Sequence, residues 1–175
     1  GSYGIKRENK TSNVSATILA GIALIIWVMS KYFTGFIFSN VKAGEYTVLS
    51  DMVIAVVAFV FVASATYLVS TINDGESKYK ELVHGFVYSL TPFILLQPIV
   101  VFVSNYLTLN EAFVMQFSKV IILVWVLTLL FVAIKELNNY ENKETIKIIL
   151  LSIFTIFIGI LIIFVLYLLV SQLLS

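Results

Sequence analysis

The sequence predicts an all-α integral membrane protein, a single bundle of five transmembrane helices whose third helix is kinked by proline. Three observations predict it. Of 175 residues, 60% are hydrophobic and 12% are charged, with a mean hydropathy of +1.02, whereas a soluble domain is about a quarter charged. Five apolar runs each approach or exceed the ~20 residues that cross a bilayer as a helix. Along those runs the polar faces at helical period that a soluble bundle needs are missing.

Residues 1–13 are expected to form a cytoplasmic N-terminal segment, its Gly1-Ser2 start reading as a tag-cleavage scar, ahead of a transmembrane domain over 14–175. The first helix runs from about Val14 to Ser30, and Lys31 with the aromatic stretch "YFTGFIF" marks an interface behind it. The second runs uncharged from Met52 to Ile72, and the third is uncharged from Gly85 to Asn110. The fourth runs from about Ala112 to Ile134 with Lys119 inside it, and the fifth, Ile148 to Ser175, contains no charge. Short loops make successive helices antiparallel neighbours.

Basic residues are retained on the cytoplasmic side of a membrane. With the N-terminus inside, Lys6, Arg7, Lys10, Lys78, Lys80, Lys135, Lys143 and Lys147 are cytoplasmic, against Lys31, Lys42 and Lys119 at or beyond the outer boundary. Eight against three predicts a multi-pass protein of the cell membrane with its N-terminus in and C-terminus out. The sequons at Asn9 and Asn13 then face the cytoplasm and stay unmodified.

The third run holds the residues a membrane helix does not require: Tyr88, Ser89, Thr91, Gln97 and both prolines of the chain, Pro92 and Pro98. Each proline removes a backbone N–H and displaces the carbonyl four residues back, here Tyr88 and Ile94. In hydrocarbon those carbonyls need new partners, which Ser89, Thr91 and Gln97 are close enough to supply. The helix is therefore expected to bend, to turn both prolines toward protein, and to bury Gln97 in a hydrogen bond. A packed structural kink and a broken helix lining a cavity both fit this pattern. Lys119 is expected either to snorkel to the boundary or to pair with Asp51 at the outer start of the second helix, Glu111 being a second partner.

The order of several short motifs resembles the bacterial branch of the Yip family, the Ypt/Rab-interacting membrane proteins. A charged loop with Asp74-Gly75 leads into a Tyr-Ser-Leu-x-Pro element at Tyr88, Ser89, Leu90 and Pro92, followed by Pro98. A turn of the form "SN-x-L-T-L-x-E" follows at Ser104 to Glu111, then a helix with Trp125 that exits at "IKELNNY". The resemblance covers essentially the whole chain and implies five membrane helices with a cytoplasmic N-terminus. Relatives in eukaryotes work in vesicle traffic and bind small GTPases, but the acidic aromatic segment they carry is not found here, which argues against binding of a Rab-type GTPase.

Chemistry is poorly provided for. The chain has one His and no Cys, no Gly-rich phosphate loop and no HExxH motif, so neither an enzyme nor a cofactor or metal site is expected. His84, alone at a helix end, reads as a packing residue. Balanced charge, 11 basic against 10 acidic residues, gives no reason to expect nucleic acid. Small residues at Ala16, Ala20 and Ala23, at Ala55, Ala58 and Ala65, and at Ser152, Thr155 and Gly159 are expected to let helices approach. Two functions remain: a scaffold in the lipid bilayer that recruits membrane-protein partners or forms a homo-oligomer, and a transporter or channel component with a site at the kinked third helix.

Overall fold

The computed structural model describes residues 2–34 and 47–173, without the side chains of 2–12, 109 and 173. The expected aromatic interface beyond Thr34 and Gly1 of the expected cleavage scar lie outside the described residues. The chain is all-helical, with five helical spans long and apolar enough to cross a membrane. They are α1 (Ser2–Phe33), α2 (Val48–Ile72), α3 (Tyr79–Ser89) continued by α4 (Thr91–Ser104), α5 (Ala112–Asn138) and α6 (Asn142–Leu173). Helix α1 continues backward through the segment expected to precede the bundle, its apolar span being Asn13–Phe33.

Local chemistry sets the helix ends. The Glu81 carboxylate accepts the Lys78 N–H at 3.1 Å and the Glu144 carboxylate accepts the Glu141 N–H at 2.9 Å, each satisfying a backbone donor that its helix leaves free. Glu111 accepts both the N–H and the hydroxyl of Thr108, at 2.8 and 3.0 Å, closing the turn before α5. Helix α5 stops where Asn139 turns left-handed, at φ 57°, a conformation asparagine tolerates.

The third span packs against α1, α2 and α5, and α6 packs chiefly against α2. Gly85 lets α3 and α5 approach: a Cβ there would lie 2.8 Å from Leu137 Cδ1 and 3.2 Å from Ala133 Cβ. The core lies toward the end carrying loops 73–78 and 139–141, where Ala63, Val69, Leu82, Phe86, Ile134 and Ile148 meet. Beyond Gly159, which abuts Phe61, every described side chain of α6 from Ile160 to Gln172 is exposed, as a helix surrounded by lipid requires. The small residues behave unequally: Ala16, Ala23, Ala65 and Ser152 are buried, Ala20 and Ala55 half-buried, and Ala58 exposed.

Candidate functional site at the broken third span

The third span is bent by 29°, and the break sits at Leu90 between α3 and α4. Leu90 donates its N–H to the Val87 carbonyl at 3.1 Å, a tighter turn than the α-helix makes. Pro92, in the first turn of α4, has no N–H to offer Tyr88. The Thr91 hydroxyl donates to the Tyr88 carbonyl instead, at 2.6 Å. The Ser89 hydroxyl, 2% exposed, donates to the Gly85 carbonyl at 2.8 Å. Tyr88 joins α3 to α1 through a 2.6 Å hydrogen bond between its phenol and the Ser15 hydroxyl.

Two expectations need correction here. Pro92 is buried but Pro98 is exposed, on the rim of a groove of about 470 Å³ between α1 and α4. Gln97 is half-buried, and no hydrogen-bond partner reaches its amide among the described residues. The reason is helical period: at 3.6 residues per turn, six residues separate two side chains by roughly 240° around the axis, so Pro92 and Pro98 cannot share a face.

At the 73–78 end the turn after α2 is clasped by the end of α5. Asn138, 2% exposed, accepts on Oδ1 from the Ser77 hydroxyl at 2.7 Å and the Ser77 N–H at 3.3 Å. Its Nδ2 donates to the Ile134 carbonyl at 2.9 Å. The Tyr140 phenol donates to the carbonyls of Ser70 and Asn73, both at 3.1 Å. Gly75 donates its N–H to the Ser70 carbonyl at 2.8 Å, and a Cβ on it would meet Asn138 Oδ1 at 2.5 Å and the Tyr140 phenol at 2.6 Å. Asp74, at φ 59°, and Glu76 stay exposed on this turn. Burial pushes the Tyr140 phenol above its ordinary pKa, and the charges of Asp74 and Glu144 add to the rise against the Ser70 hydrogen bond.

At the opposite end Asp51 forms its ion pair with Lys31 of α1, not with Lys119. Lys31 also lies over the Trp27 ring, 5.1 Å from its centroid. Lys119 is exposed on α5 with no carboxylate at ion-pair distance among the described residues, so the expected Asp51–Lys119 pair is replaced. The physical reason is the packing order: α2 meets α1 at this end, while α5 packs against the third span. Glu111 is held below the ordinary carboxylate range by the Thr108 N–H and then the Thr108 hydroxyl, and it is spent on that turn.

Between these ends, α1, α2 and the break line a half-open cavity of about 400 Å³ walled by apolar side chains, among them Ala20, Ala23, Trp27, Ala55, Phe59 and Phe93. The Trp27 and Phe93 rings meet at 6.3 Å between centroids across its wall. The break therefore borders hydrocarbon-like space on one side and consumes its own hydroxyls on the other.

Against this architecture the chain matches the Yip1 domain model over residues 4–171. It belongs to the Yip1-domain family. No curated protein and no solved structure matches the chain. The Yip1 domain is here a multi-pass membrane bundle, and its Tyr-Ser-Leu-x-Pro element, at Tyr88 to Pro92, coincides with the break. Asp74-Gly75 coincides with the clasped turn.

The structure brings Asp74 and Gly75 together with residues that sequence reasoning left out: Ser77, Asn138 and Tyr140. The signal for Asn138 and Tyr140 is the polar, aromatic "NNY" at the exit of an otherwise apolar helix. No group of His, Cys, Asp and Glu able to hold a metal occurs among the described residues.

Proposed function

We propose that this Yip1 domain is a non-enzymatic membrane scaffold that recruits partners through the turn between α2 and α3. The observation that carries the reading is the clasp. Asp74 and Glu76 are exposed charges on a backbone pinned by Gly75, Ser77, Asn138 and Tyr140, so the turn meets a partner already ordered. A mere connector between antiparallel helices needs no buried asparagine. The eight-to-three basic bias supports a cytoplasmic position for this turn and the N-terminus, with the C-terminus outside. Partners are other membrane-associated proteins or further copies of the chain.

Solute transport through the third span is the competing reading, and the geometry weighs against it. Thr91, Ser89 and Tyr88 spend their hydroxyls on internal hydrogen bonds, and the cavity beside them is apolar. A polar solute would find no replacement for its hydration there.

The test combines two measurements. A photocrosslinking residue in place of Glu76, in the native membrane, is expected to capture discrete protein partners that Gly75→Val abolishes. Purified protein in liposomes is expected to pass no more solute or ions than empty vesicles. Flux that Gln97→Leu blocks, with no crosslinked partner, would replace the scaffold by a transporter.

A further inference from the structure

We propose that the cavity between α1, α2 and the break holds one acyl chain of a bilayer phospholipid. Its walls belong to membrane spans, so what fills it enters from the bilayer. At about 400 Å³ this half-open cleft falls in the size range of ligand sites.

The residue types support an occupant rather than a packing fault. Small residues in membrane helices ordinarily let two backbones touch. Ala20 of α1 and Ala55 of α2 do not do this; both are half-buried and face the cavity, while Trp27, Phe59 and Phe93 supply broad flat walls. On α1 the face of Ala20, Ala23 and Trp27, and on α2 the face of Ala55 and Phe59, set small residues one turn from broad rings, leaving a slot suited to a flexible hydrocarbon chain. A polar head is excluded by the lining, so it stays at the Trp27 end, beside the part-exposed Lys31–Asp51 pair. A second copy of the chain is the competing occupant, and the experiment below separates the two.

Dibrominated phosphatidylcholine quenches nearby tryptophan. The chain has two tryptophans, and Trp125 is exposed on α5, so Trp125→Phe isolates Trp27. Titrating this variant in detergent micelles with the brominated lipid is expected to give saturable quenching of Trp27, whereas Trp27→Phe, which leaves Trp125, gives quenching that rises linearly with lipid fraction. Ala20→Leu with Ala55→Leu, in the Trp125→Phe background, fills the slot and is expected to convert the Trp27 curve to the linear form, with Ala58→Leu on the exposed face of α2 as the neutral control. Native mass spectrometry should find one phospholipid retained on the parent protein and none on the filled variant. Linear quenching of Trp27 in the parent, which requires no filled variant to fold, overturns the proposal. So does saturable quenching that the filled variant keeps, and so does a dimer that dissociates on filling while no lipid is retained.

Discussion

Asn138 Oδ1 accepts two hydrogen bonds from Ser77, one from the hydroxyl at 2.7 Å and one from the N–H at 3.3 Å, across 61 positions of sequence. This pairing ties the turn after α2 to the last turn of α5 and makes one buried amide answer for a backbone donor, a side-chain donor and, through Nδ2, the Ile134 carbonyl. Replacing it by an apolar residue leaves the Ser77 groups without their acceptor. Asn138→Leu is therefore expected to lower stability by about 1–3 kcal/mol, and Gly75→Ala to do the same through steric conflict with Asn138 and Tyr140. Thermal unfolding of the purified protein in detergent checks both, and wild-type melting for either variant would remove the clasp from the stability of the fold.

Tyr140 should give the clasp an alkaline limit. Its pKa in the fold is raised, so its contribution is fully present below the ordinary tyrosine value of about 10 and is lost as pH rises through the folded value. The difference in melting temperature between the wild type and Tyr140→Phe is expected to be constant through neutral pH and to shrink at alkaline pH. A difference that grows with pH would contradict the sign. Glu111 acts in the opposite sense: its lowered pKa gives a contribution present above the ordinary carboxylate value and lost as pH falls through the folded one, which Glu111→Gln should remove.

Lys31 and Asp51 are expected to be coupled, and Lys119 independent of both. Their pair is partly exposed, with side-chain exposures of 32% and 21%, so a modest interaction of about 0.5–1 kcal/mol is expected. A double-mutant cycle on Lys31→Met and Asp51→Asn should show it as non-additivity in detergent unfolding. Lys119→Met combined with Asp51→Asn should be additive. Coupling of Asp51 to Lys119 instead would mean that α5 approaches α2 at this end.

Thr91 and Pro92 should also depend on each other. Thr91→Val removes the donor that serves the Tyr88 carbonyl and is expected to cost about 1–3 kcal/mol. Pro92→Ala restores a backbone N–H at the position that ordinarily serves that carbonyl. In the Pro92→Ala background, Thr91→Val should therefore cost measurably less than in the wild type. Equal costs in both backgrounds would show that the Thr91 hydroxyl does not compensate for the proline.

The orientation is open to direct test because the chain contains no cysteine. Single cysteines introduced at Glu76 and at Asn110 are expected to label from opposite sides of the native membrane, with Glu76 reached only from the cytoplasm. Labelling of both from one side would overturn the proposed topology.

The five spans, their order and the bend near Pro92 were legible in the sequence because each depends on local facts: run length against bilayer thickness, and a proline that cannot donate a hydrogen bond. Of Ser89, Thr91 and Gln97, the side chains the sequence offers for the freed carbonyls, Thr91 serves Tyr88 while Ser89 turns to Gly85. What composition could not give was the rotation and neighbourhood of each helix, because in a bilayer the lipid-facing and protein-facing sides of a span are equally apolar and no polar stripe marks the interface. Helical period forbids Pro92 and Pro98 to share a face, but packing alone decided which of the two faces outward, that Lys119 does, that Asp51 meets Lys31, and that the turn at Asp74-Gly75 closes on Asn138 and Tyr140. The cavity beside Ala20 and Ala55 belongs to the same class, since a void is a property of how several helices meet and no single one of them carries it in its sequence.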